Sequence, residues 1–228
     1  MNITPDHAVY WRFGFAVLNR TIVSTWAVMA LLVISSWLVT RRLEPGPDIS
    51  RRQMLLESLV ELVRGQVASV LGPNPDRFIP MLGSLLLFIG VSNILGVLPG
   101  FDPPTASLST TIALALAVFA AVPFYGVSEI GLAAYLKNYV QPSIVMLPFN
   151  VIGELSRTLA LAVRLFGNMM SGKMIIAILL TVIPLFFPIV MQLFGLLTGV
   201  VQAFIFFILA AVYIGANRQA RERKATGG

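Results

Sequence analysis

Long uncharged stretches, broken by short polar segments, organise this chain. Thr21 to Thr40 holds twenty residues without a charge, which at about 1.5 Å rise per residue covers the roughly 30 Å hydrocarbon core of a bilayer. One membrane helix is predicted there, with Trp37 near one interface, Tyr10 and Trp11 beyond the other, and Trp26 well inside. Phe78 to Phe101 and Thr105 to Ser128 are each uncharged over twenty-four residues, and Asp102-Pro103-Pro104 between them breaks the helix. These predict a second and a third span, with a kink or boundary at Pro123. From Ser143 to Asn217 the chain stays largely apolar for seventy-five residues, interrupted by Pro184 and Pro188. Two long helices are predicted, about Pro148 to Ile183 and Pro188 to Asn217. The first exceeds the roughly 20 residues of a perpendicular crossing, so it should be tilted or partly interfacial.

The polar segments have their own texture. Arg51 to Leu71 mixes charges with Leu55, Leu59, Leu62 and Val63 at steps of three and four. That pattern fits a helix lying in the membrane interface, and equally a soluble connector helix. Glu129 to Pro142 reads as a short interfacial segment and connector. The expectation is an all-α membrane protein of about five transmembrane helices, with interfacial helices and a hairpin of two long tilted ones. It forms a single membrane domain over 1–228: an N-terminal segment and first span at 1–44, a cytoplasmic or interfacial helix at 45–77, the second and third spans at 78–128, a connector at 129–147, the long hairpin at 148–217 and a cytoplasmic tail at 218–228.

Composition narrows the function. With 57% hydrophobic residues against 11% charged and a mean hydropathy of +0.86, a soluble enzyme with one core is excluded, because too few polar side chains exist to cover it. The absence of Cys excludes disulfides and thiolate chemistry, and a single His leaves little for metal binding. The net charge of +6 does not signal nucleic acid, since the cations fall between or beyond the apolar runs. Two Lys or Arg precede the first span, six lie between Arg41 and Arg77, none in the Pro99 to Pro104 turn, one at Lys137 and four between Arg218 and Lys224. This asymmetry predicts the amino end outside and the carboxyl end cytoplasmic. No small-residue cleavage site follows the first span, so it reads as retained. No internal repeat appears, which argues against a transporter of repeated halves.

Charges inside the hairpin carry the functional signal. Glu154, Arg157, Arg164 and Lys173 sit in an otherwise apolar segment, where each central charge costs roughly 2.5 to 3.5 kcal/mol on insertion scales. Asn150, Glu154, Arg157 and Arg164 follow one side at helical spacing, with Asn168 one turn further. Lys173 falls about 180° from Arg164 on an ideal helix. Arg157 reads either as an ion pair with Glu154 near the interface or as part of the stripe. Lys173 either snorkels to head groups or lines a path. Arg164 is too deep in apolar sequence to snorkel. The second helix offers Gln192, Thr198 and Gln202. A turn centred near Phe186 would set residue 208 opposite Arg164, with Gln202 within two turns of it. His7, Asp102 and Glu129 read as solvated surface residues.

The run Leu161-Ala-Val-Arg164-Leu-Phe-Gly-Asn168-Met169, followed by Val201-Gln202-Ala-Phe-Ile-Phe206 and preceded by Ser92-Asn93-Ile-Leu-Gly-Val-Leu-Pro99, resembles the a subunit of bacterial F-type ATP synthases. The match in order and spacing runs from about Pro45 to Tyr213. The resemblance implies the stator half of a rotary ion motor in the bacterial plasma membrane, working against a ring of c subunits and held by b-type stalk subunits. It would couple flow of protons, or of sodium ions, to ATP synthesis or hydrolysis. Arg164 matches the family's essential arginine, which faces the ring carboxylate; Asn168 and Gln202 match polar positions that support it and line the ion path. Asn150, Glu154, Arg157, Lys173 and Gln192 are candidate half-channel residues. The chain departs from the family where an acid or His is usual, at Lys173 and at Gly195. No phosphate-binding loop is present, so ATP chemistry would belong to partner subunits and the chain alone is no enzyme; no cofactor or metal is implied. Two other classes compete: a membrane-embedded enzyme, for which clustered carboxylates, His or Ser/Lys pairs are missing, and a non-conducting scaffold in which Arg164 merely pairs a partner's acid.

Overall fold

A computed structural model describes residues 9–13, 16–41, 51–72, 75–98, 101–132, 135, 146–182 and 187–226. Six helices account for almost all of them: α1 Arg20–Thr40, α2 Arg51–Leu71, α3 Ile79–Leu95, α4 Leu108–Ile130, α5 Met146–Val182 and α6 Phe187–Thr226. The class is all-α membrane protein, with one addition that hydropathy did not signal. Val9–Phe13 (β1) and Ala16–Asn19 (β2) pair as an antiparallel ribbon ahead of α1, in a segment rich in aromatic and β-branched residues that suit a strand.

Four helical segments are long and apolar enough to cross a membrane, within α1, α4, α5 and α6. The second predicted span is shorter than expected: α3 has 17 residues. The chain folds back before the prolines, with Val97 and Leu98 donating to the Ile94 and Leu95 carbonyls. Its length of about 26 Å still approaches the hydrocarbon thickness. Helix α4 runs straight through Pro123 to Ile130, so no boundary falls at the proline. Most of the expected connector, residues 133–134 and 136–145, lies outside the described residues, as do Pro184, Lys137 and His7. Helix α6 continues past Asn217 to Thr226, so most of the expected tail is helical.

Side chains of α2 to α6 form one core. Phe78, Leu82 and Ile89 meet Val118, Leu161, Leu165, Phe206 and Phe207, all with almost no exposed surface. Along α6 the buried positions Gly199, Gln202, Ala203, Phe206, Phe207, Ala210, Ala211 and Ile214 alternate in steps of three and one, a single seam facing α3, α2 and α4. Helix α2 packs on α6 and buries Val63, Val67 and Leu71, while Leu59 and Leu62 are exposed. The expected stripe is thus divided, Val63 turned to protein and Leu59 and Leu62 open, while the side chain of Leu55 lies outside the described residues. Both sides of α2 carry apolar residues, and periodicity alone does not say which side meets protein.

Candidate functional site

Helix α5 is attached along a narrow line. Thr158, Leu161, Ala162 and Leu165 are buried, whereas Leu155, Leu159, Val163, Met174, Ile175 and Ile178 are exposed. A wide face of a candidate span is thus open. Arg164 lies on that face, eighteen residues from either end of the helix, which is about 27 Å at helical rise. The guanidinium is exposed and makes no hydrogen bond or ion pair with any described residue. Ser156, Ala160, Gly167 and Ser171 share the face. Such small side chains let another helix backbone approach closely.

The α5–α6 register is set one turn away. Asn168 Nδ2 donates to the Thr198 carbonyl oxygen at 3.4 Å. Four residues back from Asn168 is Arg164 and four on from Thr198 is Gln202, so in this antiparallel pair the two stand level. They do not bond. Gln202 points into the seam, 6% exposed, and its Nε2 finds no partner among the described residues. Ser92 Oγ on α3 is buried and unpartnered in the same way. Asn168 serves α6 rather than the arginine, and the residue level with Arg164 is Gln202 rather than residue 208.

On the Asp102 side of this level, α3, the turn after it, α5 and α6 line a partly open cavity of about 280 Å³, room for several waters. Asn93, Asn168, Lys173, Gln192, Gly195 and Thr198 contribute to its wall. The two departures from the resembled family, Lys173 and Gly195, therefore line one space. Lys173 Nζ bonds Asp102 Oδ1 at 2.7 Å, and Arg20 Nη1 holds the other oxygen, Oδ2, at 3.1 Å. Asp102 is thus no free surface residue, as its place in a turn suggested. It is the lone acid between two uncharged spans, and that isolation was the available signal.

Asn93 closes the cavity toward the core. Its Nδ2 donates to the Gly199 carbonyl oxygen at 2.8 Å, and its Oδ1 accepts from Thr105 Oγ1 at 2.6 Å. A Cβ on Gly199 would stand 3.0 Å from Asn93 Cβ, so the close approach of α3 to α6 leaves little room for a side chain there.

At the other end of the bundle Asn150 and Glu154 are half-buried, and the Arg157 guanidinium lies over the Tyr213 ring, 5.9 Å from its centroid. Arg157 thereby joins the two hairpin helices. Arg77 is set 5.9 Å over Tyr125 and Arg64 pairs with Asp76 at 3.0 Å, so this end is rich in cations. Among the described residues no three His, Cys, Asp or Glu side chains gather as a metal site would require.

The family model of the ATP synthase A chain matches residues 22–215. Among curated proteins, the chain is 55% identical over 226 residues to ATP synthase subunit a 1 of Chlorobaculum parvum, covering 99% of this chain and 100% of that one. It is 55% identical to ATP synthase subunit a 2 of Acaryochloris marina over 219 residues, 96% of this chain and 94% of the other. Against ATP synthase subunit a of Albidiferax ferrireducens the identity is 54% over 228 residues, 100% and 99% of the two chains.

Proposed function

The chain belongs to the ATP synthase A chain family, and from that premise we propose that it is the stator subunit against which a ring of c subunits turns, conducting ions through two half-channels. One observation carries the reading: a guanidinium, unpaired among the described residues, stands on the open face of a membrane span. An Arg left facing lipid at that depth costs several kcal/mol. A partner's carboxylate relieves the cost. Arg164 then favours the ionised form of each passing carboxylate and repels a cation moving directly from one half-channel to the other, so ions travel with the ring.

The cavity by Asn168, Lys173, Gln192 and Thr198 suits the outer half-channel, and the Asn150, Glu154 and Arg157 end the cytoplasmic one. Gln202, level with Arg164 and with an amide nitrogen that has no partner among the described residues, suits a water of the ion path. The cation-rich end faces the cytoplasm by the positive-inside rule, which puts the amino end outside, in a bacterial plasma membrane. The b-type stalk subunits hold the stator still. Nucleotide chemistry resides in partner subunits, and the chain's residues take no part in it.

The test is ATP-driven acidification of sodium-free proteoliposomes containing the purified whole complex. Arg164→Ala, at equal assembly, should abolish the signal. Undiminished acidification would sink the arginine mechanism and favour a scaffold role, in which Arg164 only pairs a partner's acid. A silent native complex directs the measurement to sodium uptake, the second ion this design admits.

A further inference from the structure

Lys173 forms part of the cavity wall, with 24% of its side chain exposed. A bare ammonium there would repel every cation entering the cavity, because water in a confined, partly apolar space screens less than bulk water does. Asp102 stands against it. Each carboxylate oxygen has its own cation, Oδ1 to Lys173 and Oδ2 to Arg20, so the group is locked in orientation with one oxygen on the lysine. Arg20 opens α1 and is not among the residues of the cavity wall. Asp102 is likewise outside the wall, so the cavity meets the Lys173 ammonium with its charge offset from behind by the carboxylate, and Arg20 sits on that carboxylate's far oxygen.

We propose that Asp102 is a positioning residue for ion flow, which neutralises Lys173 at the cavity wall and so keeps the outer half-channel open to cations. The proposal rests on the ion-conducting reading above. It also accounts for a lysine in a cation path: the charge is tolerated because the turn between α3 and α4 supplies its counterion from a distant part of the sequence. Removing only the carboxylate exposes the ammonium. Removing both charges together leaves a neutral wall, as in the native protein.

The experiment uses the whole complex in proteoliposomes and follows ATP-driven uptake of whichever ion the native complex carries, protons by dye quenching or sodium by radioisotope. Asp102→Asn should slow uptake by roughly ten- to a hundredfold at low ionic strength, and raising the salt should narrow the gap. The double variant Asp102→Asn with Lys173→Gln should return to within about threefold of native, a rescue that a merely structural staple between α1 and α5 does not produce. A double variant as slow as Asp102→Asn, or a single variant at native speed, overturns the proposal. Should the single variant not assemble, the double variant is compared with native directly: near-native uptake supports the charge balance, and lost uptake in an intact complex refutes it. Arg164→Ala in the same series separates this result from failure of the conducting reading, since only that failure leaves its uptake undiminished.

Discussion

Replacing Asn93 by Ala should be among the most destabilising single changes in the bundle. The amide donates to the Gly199 carbonyl at 2.8 Å and accepts from Thr105 at 2.6 Å, and both side chains are buried, Asn93 at 5% and Thr105 at 0% exposure. Interhelical hydrogen bonds in membrane proteins contribute roughly 0.6 kcal/mol on average and up to about 1.7. Leaving the Thr105 hydroxyl without a partner adds about 1 to 3 kcal/mol. The loss therefore comes to about 2 to 5 kcal/mol. A cycle with Thr105→Val isolates the bond itself, because valine keeps the shape and removes the hydroxyl. In the Asn93→Ala background Thr105→Val should cost nothing or stabilise, giving a coupling of about 1 kcal/mol. Equilibrium unfolding in mixed micelles titrated with denaturing detergent measures all four proteins. Strict additivity, within about 0.3 kcal/mol, would refute the buried bond as the origin of the stability.

Other substitutions probe separate contacts. Gly199→Val places a branched side chain where a Cβ alone would stand 3.0 Å from Asn93 Cβ, and should cost about 1 to 3 kcal/mol by overpacking, read as a lower midpoint in the same titration. Gly131, at φ +80° beyond the end of α4, should lose about 1 to 2 kcal/mol on change to Ala, because the backbone there disfavours a Cβ; unchanged stability would exclude that strain. Tyr213→Leu removes the ring beneath Arg157 and should cost about 0.5 to 1 kcal/mol. Asp76→Asn breaks the exposed pair with Arg64 and should stay below about 1 kcal/mol; a larger effect would mean the contact is shielded from water.

Much of the architecture was legible because a bilayer imposes one rule on every span: about twenty apolar residues with backbone bonds satisfied internally. Charge counts and hydropathy therefore marked α1, α4 and α5 with ends displaced by a few residues, α6 with its start in place but its end nine residues short, and α2 from Arg51 to Leu71 as observed. Arg164 stood out for the same reason, as a charge too deep to reach water. Contacts between helices were less legible. Folding the chain about Phe186 set residue 208 opposite Arg164, but the register of two packed helices is fixed by the side chains that meet between them, here Asn168 on Thr198, and not by the midpoint of the turn. Which side of α2 touches protein, and that α3 stops at Leu95, likewise depended on packing partners far away in sequence.

The sequence by itself determined the membrane character, most of the helix inventory and the arginine deep within a span, since each follows from local hydropathy and the cost of desolvating a charge. Only the tertiary structure decided that Arg164 faces outward while Gln202 faces in, that Lys173 and Gly195 share one cavity, and that Asp102 is ion-paired. Those are relations between residues dozens of positions apart, such as the 71 between Asp102 and Lys173. Periodicity fixes directions within one helix, and the balance of charge in a site depends on which helices are brought together.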